Sequence, residues 1–230
     1  MQERLDPRPG NTADVVILTI REERFEVLLI RRGNPPFKGM LAIPGGYLED
    51  GENLEATAER ELKEETALEG MTPHLELVGV YSDPGRDPRG VVISAAYVAM
   101  IPDPPKAEAG GDAASTQWCT VERALAEPLA FDHSEILSDA LAKASDLLET
   151  TTAATAFCKE QFTISELRRV YEIVWGVKLD PGNFHRKVTR IEGFIEPTGE
   201  RTIRDGGRPA ALFRTGPAKR IYLPRPENDE

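Results

Sequence analysis

The stretch Gly46-Tyr-Leu-Glu-Asp-Gly-Glu52-Asn-Leu-Glu-Ala-Thr-Ala-Glu-Arg60-Glu61-Leu62-Lys-Glu64-Glu65-Thr-Ala67-Leu68 decides how the rest of the chain is read. From Asn53 to Thr66 it is rich in Ala, Leu, Glu, Arg and Lys and free of Pro and Gly, which predicts a helix. At roughly 100° per residue, Glu61, Glu64 and Glu65 share an arc of about 100°. Leu54, Leu62 and Leu68 project within or beside that arc, whereas Glu55, Glu59 and Lys63 largely face the other way. Like charges at the edge of an apolar face repel one another and lose water, so either some take up protons or a cation neutralises them. All-oxygen ligation without His or Cys points to Mg²⁺ or Mn²⁺ rather than zinc. Periodicity alone leaves open a surface helix whose acids pair with Arg60 and Lys63.

Working outward, Thr12 to Ile20 and Phe25 to Arg32 are largely apolar, β-branched runs around the charged turn Arg21-Glu-Glu-Arg24, a predicted hairpin. Further strands are expected over Leu75 to Ser82, Val91 to Met100 and Thr116 to Thr120, and a second long helix over Ser134 to Leu148. Strands with helices between and after them make an α/β or α+β layered domain. The aperiodic segment Glu149 to Ala156 is the expected linker, dividing a module of residues 1–150 from one of residues 151–230. In the second, Thr163-Ile-Ser-Glu166 is a capping box ahead of an apolar face of Ile164, Leu167, Val170, Tyr171 and Val174. Asp180-Pro181 supplies an N-cap and an N1 proline for a further helix with a buried stripe of Phe184, Val188 and Ile191, ended by Gly193. Arg201 to Arg214 reads as two short strands around Asp205-Gly-Gly-Arg208-Pro209.

The chain has 230 residues, 40% of them apolar, enough for one large or two small cores. The net charge of −11 is unevenly spread: residues 1–155 carry −14 and residues 156–225 carry +6. That asymmetry suggests a second module that meets a polyanion. Cys119 and Cys158 lie far apart without metal-ligand spacing, so neither a disulfide framework nor a structural zinc is expected. The first residues lack a signal-type apolar run, and the longest apolar stretch, Val91 to Ile101, is interrupted by Ser94 and Tyr97. A reducing, cytoplasmic setting is expected.

Gly46-x5-Glu52-x7-Arg60-Glu61-Leu62-x-Glu64-Glu65-x-Ala67-Leu68 resembles the Nudix box at every position except Ala67, where that family has glycine. The preceding Ile43-Pro44-Gly45 fits the same likeness, which covers about residues 12 to 148 and implies an α/β/α sandwich with a mixed sheet. The resemblance makes Glu61, Glu64 and Glu65 metal ligands with the Gly45 carbonyl as a fourth, and Arg60 and Glu52 an ion pair fixing loop to helix. It implies attack of water on the phosphoanhydride of a nucleoside diphosphate derivative, bound near Gly46, with Arg31 and Arg32 as phosphate-binding candidates against a bland reading as a solvated strand end. Asp112, on a later loop, is a candidate general base, with Glu61 or Glu65 as competitors. Pro84, sixteen residues past the box, resembles the ADP-ribose pyrophosphatase branch. At Ala67 the expectation is that the helix runs on to a cap at Gly70.

On the basic module, Asn183, Arg186, Lys187 and Arg190 occupy the arc opposite Phe184, Val188 and Ile191, the layout of a recognition helix in a major groove. Arg208 at the hairpin tip would reach a minor groove. The alternative is a helix pair used for dimerisation with a charged outer face. Phe162-Thr163, Glu166-Leu167, Val170-Tyr-Glu172, Asn183-Phe184, Arg186-Lys187, Glu196-Pro-Thr-Gly199 and Gly207-Arg-Pro-Ala210 resemble, in their order, the C-terminal winged helix-turn-helix domain of the Nudix-related transcriptional regulators (NrtR). That resemblance implies a homodimeric regulator of NAD metabolism that binds a double-stranded DNA operator and senses ADP-ribose. Many of these regulators have lost Nudix catalytic residues. This sequence keeps them, which points to a repressor that also hydrolyses ADP-ribose; the alternative is an ADP-ribose hydrolase whose winged helix serves only assembly.

Overall fold

The computed structural model describes residues 9–66, 75–102, 113–203 and 209–226. The chain divides into two compact units, one holding the described residues up to Leu18, within Val27–Ala99 and within Pro104–Ala140, the other those within Thr19–Glu26, Met100–Asp103 and Leu141–Glu230.

The first unit is organised by a sheet whose strands are β1 (Gly10–Arg21), β2 (Arg24–Arg32), β3 (Leu41–Ala42), β4 (Gly45–Tyr47), β5 (Leu75–Tyr81), β6 (Val92–Met100) and β7 (Ala113–Thr120). They run in the order β3-β2-β1-β6-β5, with β4 paired to β1 and β7 to β2. The predicted hairpin is β1–β2, turned by Glu22 and Glu23, both at positive φ. Val15 to Leu18 are wholly buried, as are Val27 to Leu29, which is why these strands read as continuous apolar runs rather than alternating ones. Helix α1 (Leu54–Thr66) starts one residue after the expected Asn53, and helix α3 (His133–Thr150) extends the expected one by a residue at the start and two at the end. Between them comes the short α2 (Val121–Ala126), capped by Thr120. It was not predicted, because six residues are too few to show a period. Leu68 and Gly70, like Ala67, fall outside the described residues.

The segment expected to be a loose linker is structured. Helix α3 runs through Thr150, and Ala153–Phe157 form a 3₁₀ turn with Ala154, Thr155 and Phe157 buried. In this second unit helix α4 (Ile164–Trp175) begins at the predicted capping box: the Thr163 hydroxyl accepts from the Glu166 N–H and the Glu166 carboxylate from the Thr163 N–H. Such a cap is worth about 1 kcal/mol. The helix ends at Gly176, whose φ of 67° needs a residue without Cβ. Tyr171, fully buried, meets Trp175 and Phe184 edge-on at 4.7 and 5.4 Å and donates its hydroxyl to the Leu148 carbonyl at 3.0 Å. Helix α5 (Pro181–Arg190) starts at Asp180, which accepts from the Asn183 N–H at 2.7 Å. Strands β8 (Ile195–Thr202) and β9 (Ala210–Thr215) form an antiparallel hairpin. Its first strand starts earlier than the Arg201 expected, since Ile195-Glu-Pro-Thr-Gly199 contains two turn-type residues that mask a strand reading. No helix among the described residues is long and apolar enough to cross a membrane.

Candidate functional site

The loop before α1 and the helix itself are tied by one guanidinium. Arg60 donates to Glu52 at 3.0 Å, to Glu61 at 2.6 Å and to the Tyr47 carbonyl at 3.1 Å, and lies 3.6 Å from Glu64. The Thr57 hydroxyl donates to the other Glu52 oxygen at 2.9 Å. Glu52 is held below the usual carboxylate range chiefly by its bond to Arg60. The expected Glu52–Arg60 clamp is thus present. Glu61 and Glu65 are buried whereas Glu64 is half exposed. Burial raises the Glu61 carboxyl, opposed by Arg60 and reinforced by the neighbouring charges of Glu64 and Asp14.

These three glutamates line a cavity of about 250 Å³ together with Asp14, Arg32, Gly45, Gly46, Tyr47, Arg86, Asp87, Arg89, Phe131 and His133. Gly45 sits opposite Asp14 in the β1–β4 register, and a Cβ on Gly46 would overlap the Glu61 carboxylate. The glycine pair therefore lets the backbone close directly on two acids. The loop after β5 contributes Arg86, which donates two bonds to Asp132, at 2.6 and 2.7 Å, and lies 3.8 Å from Asp14. It also contributes Arg89, clamped by buried Asp87 at 2.6 Å. Arg32 and Arg89 stand over the Phe131 ring at 4.7 and 5.7 Å. His133 is buried: its Nδ1 accepts the Ile43 N–H at 2.8 Å, as only a ring unprotonated at that atom can, and burial lowers its pKa.

Of the residues singled out in the sequence, the pocket gathers Arg32, Gly45, Gly46, Glu61, Glu64 and Glu65. Arg31 does not line it; its side chain bonds the Gly39 carbonyl at 2.7 Å, because neighbouring strand residues face opposite ways. Asp112 and Arg208 lie outside the described residues. Sequence reading passed over Asp14, Arg86, Asp87, Arg89, Phe131 and His133. Asp14 had a signal, a lone acid in the apolar run Ala13–Leu18, and the Pro84 turn marked the loop that carries the arginines.

The three glutamates differ from a ready-made cage. Among the described residues no three acidic, His or Cys groups converge tightly enough to hold an ion, and Arg60 takes one Glu61 oxygen instead. The donor chemistry still fits a hard divalent cation, which needs only one or two carboxylates and completes its shell with water and phosphate oxygens. Five carboxylates (Asp14, Glu61, Glu64, Glu65, Asp87) against three guanidinium groups (Arg32, Arg86, Arg89) line the cavity, an excess of two negative charges.

In the second unit, Phe184 and Val188 are buried, so α5 turns its opposite face, with Asn183, Arg186, Lys187 and Arg190, to solvent. Ile191, expected in the buried stripe, is the C-cap and only half buried. Arg186 donates to the Asn183 side chain at 2.7 Å, and among the described residues no carboxylate pairs with Arg186, Lys187 or Arg190.

Comparison with known proteins bears on both units. The NUDIX domain model matches residues 10–140, and the NrtR DNA-binding winged helix domain model matches residues 154–215. The ADPR responsive transcriptional repressor NtrR of Acinetobacter baylyi is 35% identical over 210 residues, 90% of this chain and 82% of that protein. The chain belongs to the NrtR family. The crystal structure of Shewanella oneidensis NrtR complexed with a 27mer DNA superposes with a TM-score of 0.80 at 27% identity, covering 93% of this chain and 99% of that one. The ADP-ribose pyrophosphatase of Methanocaldococcus jannaschii is 41% identical over 137 residues, 59% of this chain and 75% of that protein. The fold is accordingly the Nudix sandwich with its mixed sheet, followed by the winged helix of NrtR proteins. Within the NrtR family the cavity described above belongs to the Nudix domain and α5 to the DNA-binding domain.

Proposed function

We propose that this chain is a transcriptional repressor of NAD metabolism that binds a duplex operator as a homodimer, is released by ADP-ribose and also hydrolyses ADP-ribose. The observation that carries this reading is that one relative, an ADPR responsive repressor, matches 90% of the chain, Nudix pocket and winged helix together. The Nudix module is taken as residues 1–150 and the winged helix as residues 151–230.

In the pocket, Glu61, Glu64 and Glu65, with the Gly45 carbonyl, are the oxygens that would hold Mg²⁺ or Mn²⁺. When bound, such an ion lowers the pKa of water and offsets charge on a phosphoanhydride. The chain's own groups do the rest. Arg60 holds the box loop against the helix through Glu52 and orients Glu61. Arg32 and Arg89 supply positive charge for a diphosphate, Arg89 preset by Asp87, and Arg86 is fixed deeper by Asp132. Phe131 offers an aromatic face between Arg32 and Arg89. Water attack on the diphosphate gives AMP and ribose 5-phosphate. Asn183, Arg186, Lys187 and Arg190 read or hold the operator, and Arg208, outside the described residues, is a further candidate for DNA contact.

ADP-ribose loosens DNA only if it favours an arrangement that binds DNA poorly, and DNA must then weaken ADP-ribose binding by the same factor. The test is binding of the full chain to its own upstream DNA with and without ADP-ribose, in Glu65→Gln so that the effector persists. Loss of operator affinity with ADP-ribose is expected, as is a drop of at least about 100-fold in hydrolysis. Equal affinity at zero and saturating ADP-ribose removes the sensor role. No preference of the wild-type protein for upstream over random DNA removes the repressor role and leaves the hydrolase. Undiminished turnover in Glu65→Gln removes the assigned chemistry.

A further inference from the structure

The winged-helix match ends at residue 215, yet the chain beyond it is tied down along its length. The Gly216 and Ala218 N–H groups donate to the carbonyls of Phe194 (2.8 Å) and Gly193 (2.9 Å), just past the end of α5. The Ile221 and Leu223 N–H groups donate to Thr150 and Glu149 at the end of α3, both at 2.9 Å. Arg225 donates to the Trp175 carbonyl, the end of α4, at 2.6 Å. The crossing beside α5 is close: Gly193 has a φ of +69° and meets Ala218, and a Cβ on Gly216 would overlap the Gly193 carbonyl oxygen. Backbone contact therefore fixes where this strap leaves the helix.

What the strap presents is basic. Leu223 is buried and Ile221 half buried, whereas Lys219, Arg220 and Tyr222 are exposed, Tyr222 at 73%. Among the described residues no carboxylate pairs with Lys219 or Arg220. Elsewhere in the same unit Arg168, Arg169 and Arg214 are spent on Glu172, Glu23 and Glu196. Lys143, Lys159, Lys178 and Arg201 of the same unit also have no carboxylate partner among the described residues, so what distinguishes the cations of α5 and of the strap is that the two segments adjoin. Since Ala218 abuts Gly193, three residues past Arg190, the Arg190 and Lys219 backbones lie within about 20 Å, less than one turn of a duplex.

We propose that Lys219 and Arg220 form a second phosphate-contacting surface for duplex DNA, adjoining the C-terminal end of α5. The inference rests on the reading of α5 as a DNA-binding helix. Fixed cations beside that helix add affinity without sequence information, and they orient the duplex against the reading face.

The test is fluorescence anisotropy of the full-length protein with its upstream DNA and with random DNA across a series of KCl concentrations. Each lost phosphate contact lowers the slope of log affinity against log salt by about 0.9, so Lys219→Ala/Arg220→Ala is expected to lower it by about 1.8. Affinity for both DNAs should fall by the same factor, and Lys219→Arg/Arg220→Lys should keep the wild-type slope. An unchanged slope in the double alanine variant, with Arg186→Ala still weakening binding, overturns the inference alone. If Arg186→Ala also changes nothing, the reading of α5 fails and the inference with it. A slope lost equally in the charge-retaining variant points to a displaced strap and overturns the charge argument.

Discussion

Replacing Gly46 by alanine separates the chemistry of the pocket from the stability of the fold. The three atoms nearest a Cβ at Gly46 all belong to the Glu61 carboxylate, the far end of a flexible side chain. Gly46 is not among the glycines at positive φ, so alanine adopts its backbone without strain. Stiffening the unfolded chain stabilises by about 0.4–1 kcal/mol. Turning Glu61 out of its bond with Arg60 costs about 1.5–3 kcal/mol, since both partners are charged. Only part of that is offset, and Gly46→Ala is expected to lose about 1–2 kcal/mol. Gly45→Ala is the contrast: its Cβ would meet the Ala13 carbonyl oxygen at 2.6 Å and the Asp14 Cα at 2.9 Å, backbone that cannot step aside. Overpacking there costs about 1–3 kcal/mol or more. With Glu61 displaced, Mn²⁺ affinity in Gly46→Ala should fall about 10–100-fold, as when the surroundings of a ligand are disturbed. Urea unfolding and electron paramagnetic resonance titration with Mn²⁺ read the two quantities separately. Unchanged Mn²⁺ affinity would refute the role given to Glu61, and equal instability of the two variants would refute the claim that only a side chain stands in the way.

Three further outcomes are expected. Asp132→Ala strands Arg86, whose side chain is only 5% exposed, and should destabilise the protein by about 3–5 kcal/mol in urea; a loss below about 1 kcal/mol means Asp14 suffices as its partner. His133 is held neutral by burial, with its folded pKa below 6.5, so its contribution to stability is complete above that pH and is lost as pH falls toward the folded value. The unfolding free energy of wild type in urea should therefore fall more steeply below about pH 6.5 than that of His133→Gln, with a limiting difference in slope of about 1.4 kcal/mol per pH unit; parallel curves contradict the assignment. Removing divalent ions with EDTA should weaken binding of a non-hydrolysable methylene analogue of ADP-ribose to the wild-type protein in isothermal calorimetry, and unaltered affinity shows that the arginines alone offset the pocket's acids.

The fold was legible where a period is long enough to register. Helix α1, helix α4 behind its capping box, α5 behind Asp180-Pro181 and the β1–β2 hairpin all carry several turns or alternations of side chains. Strands β3 and β4, of two and three residues, exist because β1 and β2 offer them partners, which no local pattern encodes. The Thr/Ala-rich segment after α3 failed for a related reason. Its 3₁₀ turn is made of small residues without amphipathic contrast, and burial of Ala154 and Phe157 orders it.

The acids of the pocket were legible because they share one helix, while its arginines were not, because their meaning lies in pairs distant in sequence. Arg86 acts with Asp132, forty-six residues away, and Arg89 with the ring of Phe131. A module of charge −14 looks unfit for an anionic ligand only while charge is summed over sequence. What a diphosphate meets is the field of the cavity, where two negative charges in excess remain after Arg32, Arg86 and Arg89 are counted. One divalent cation cancels that excess and leaves the guanidinium groups to act on the ligand. The box glutamates and the loop arginines are thus two parts of one electrostatic arrangement, and neither part alone makes the cavity hospitable to an anion.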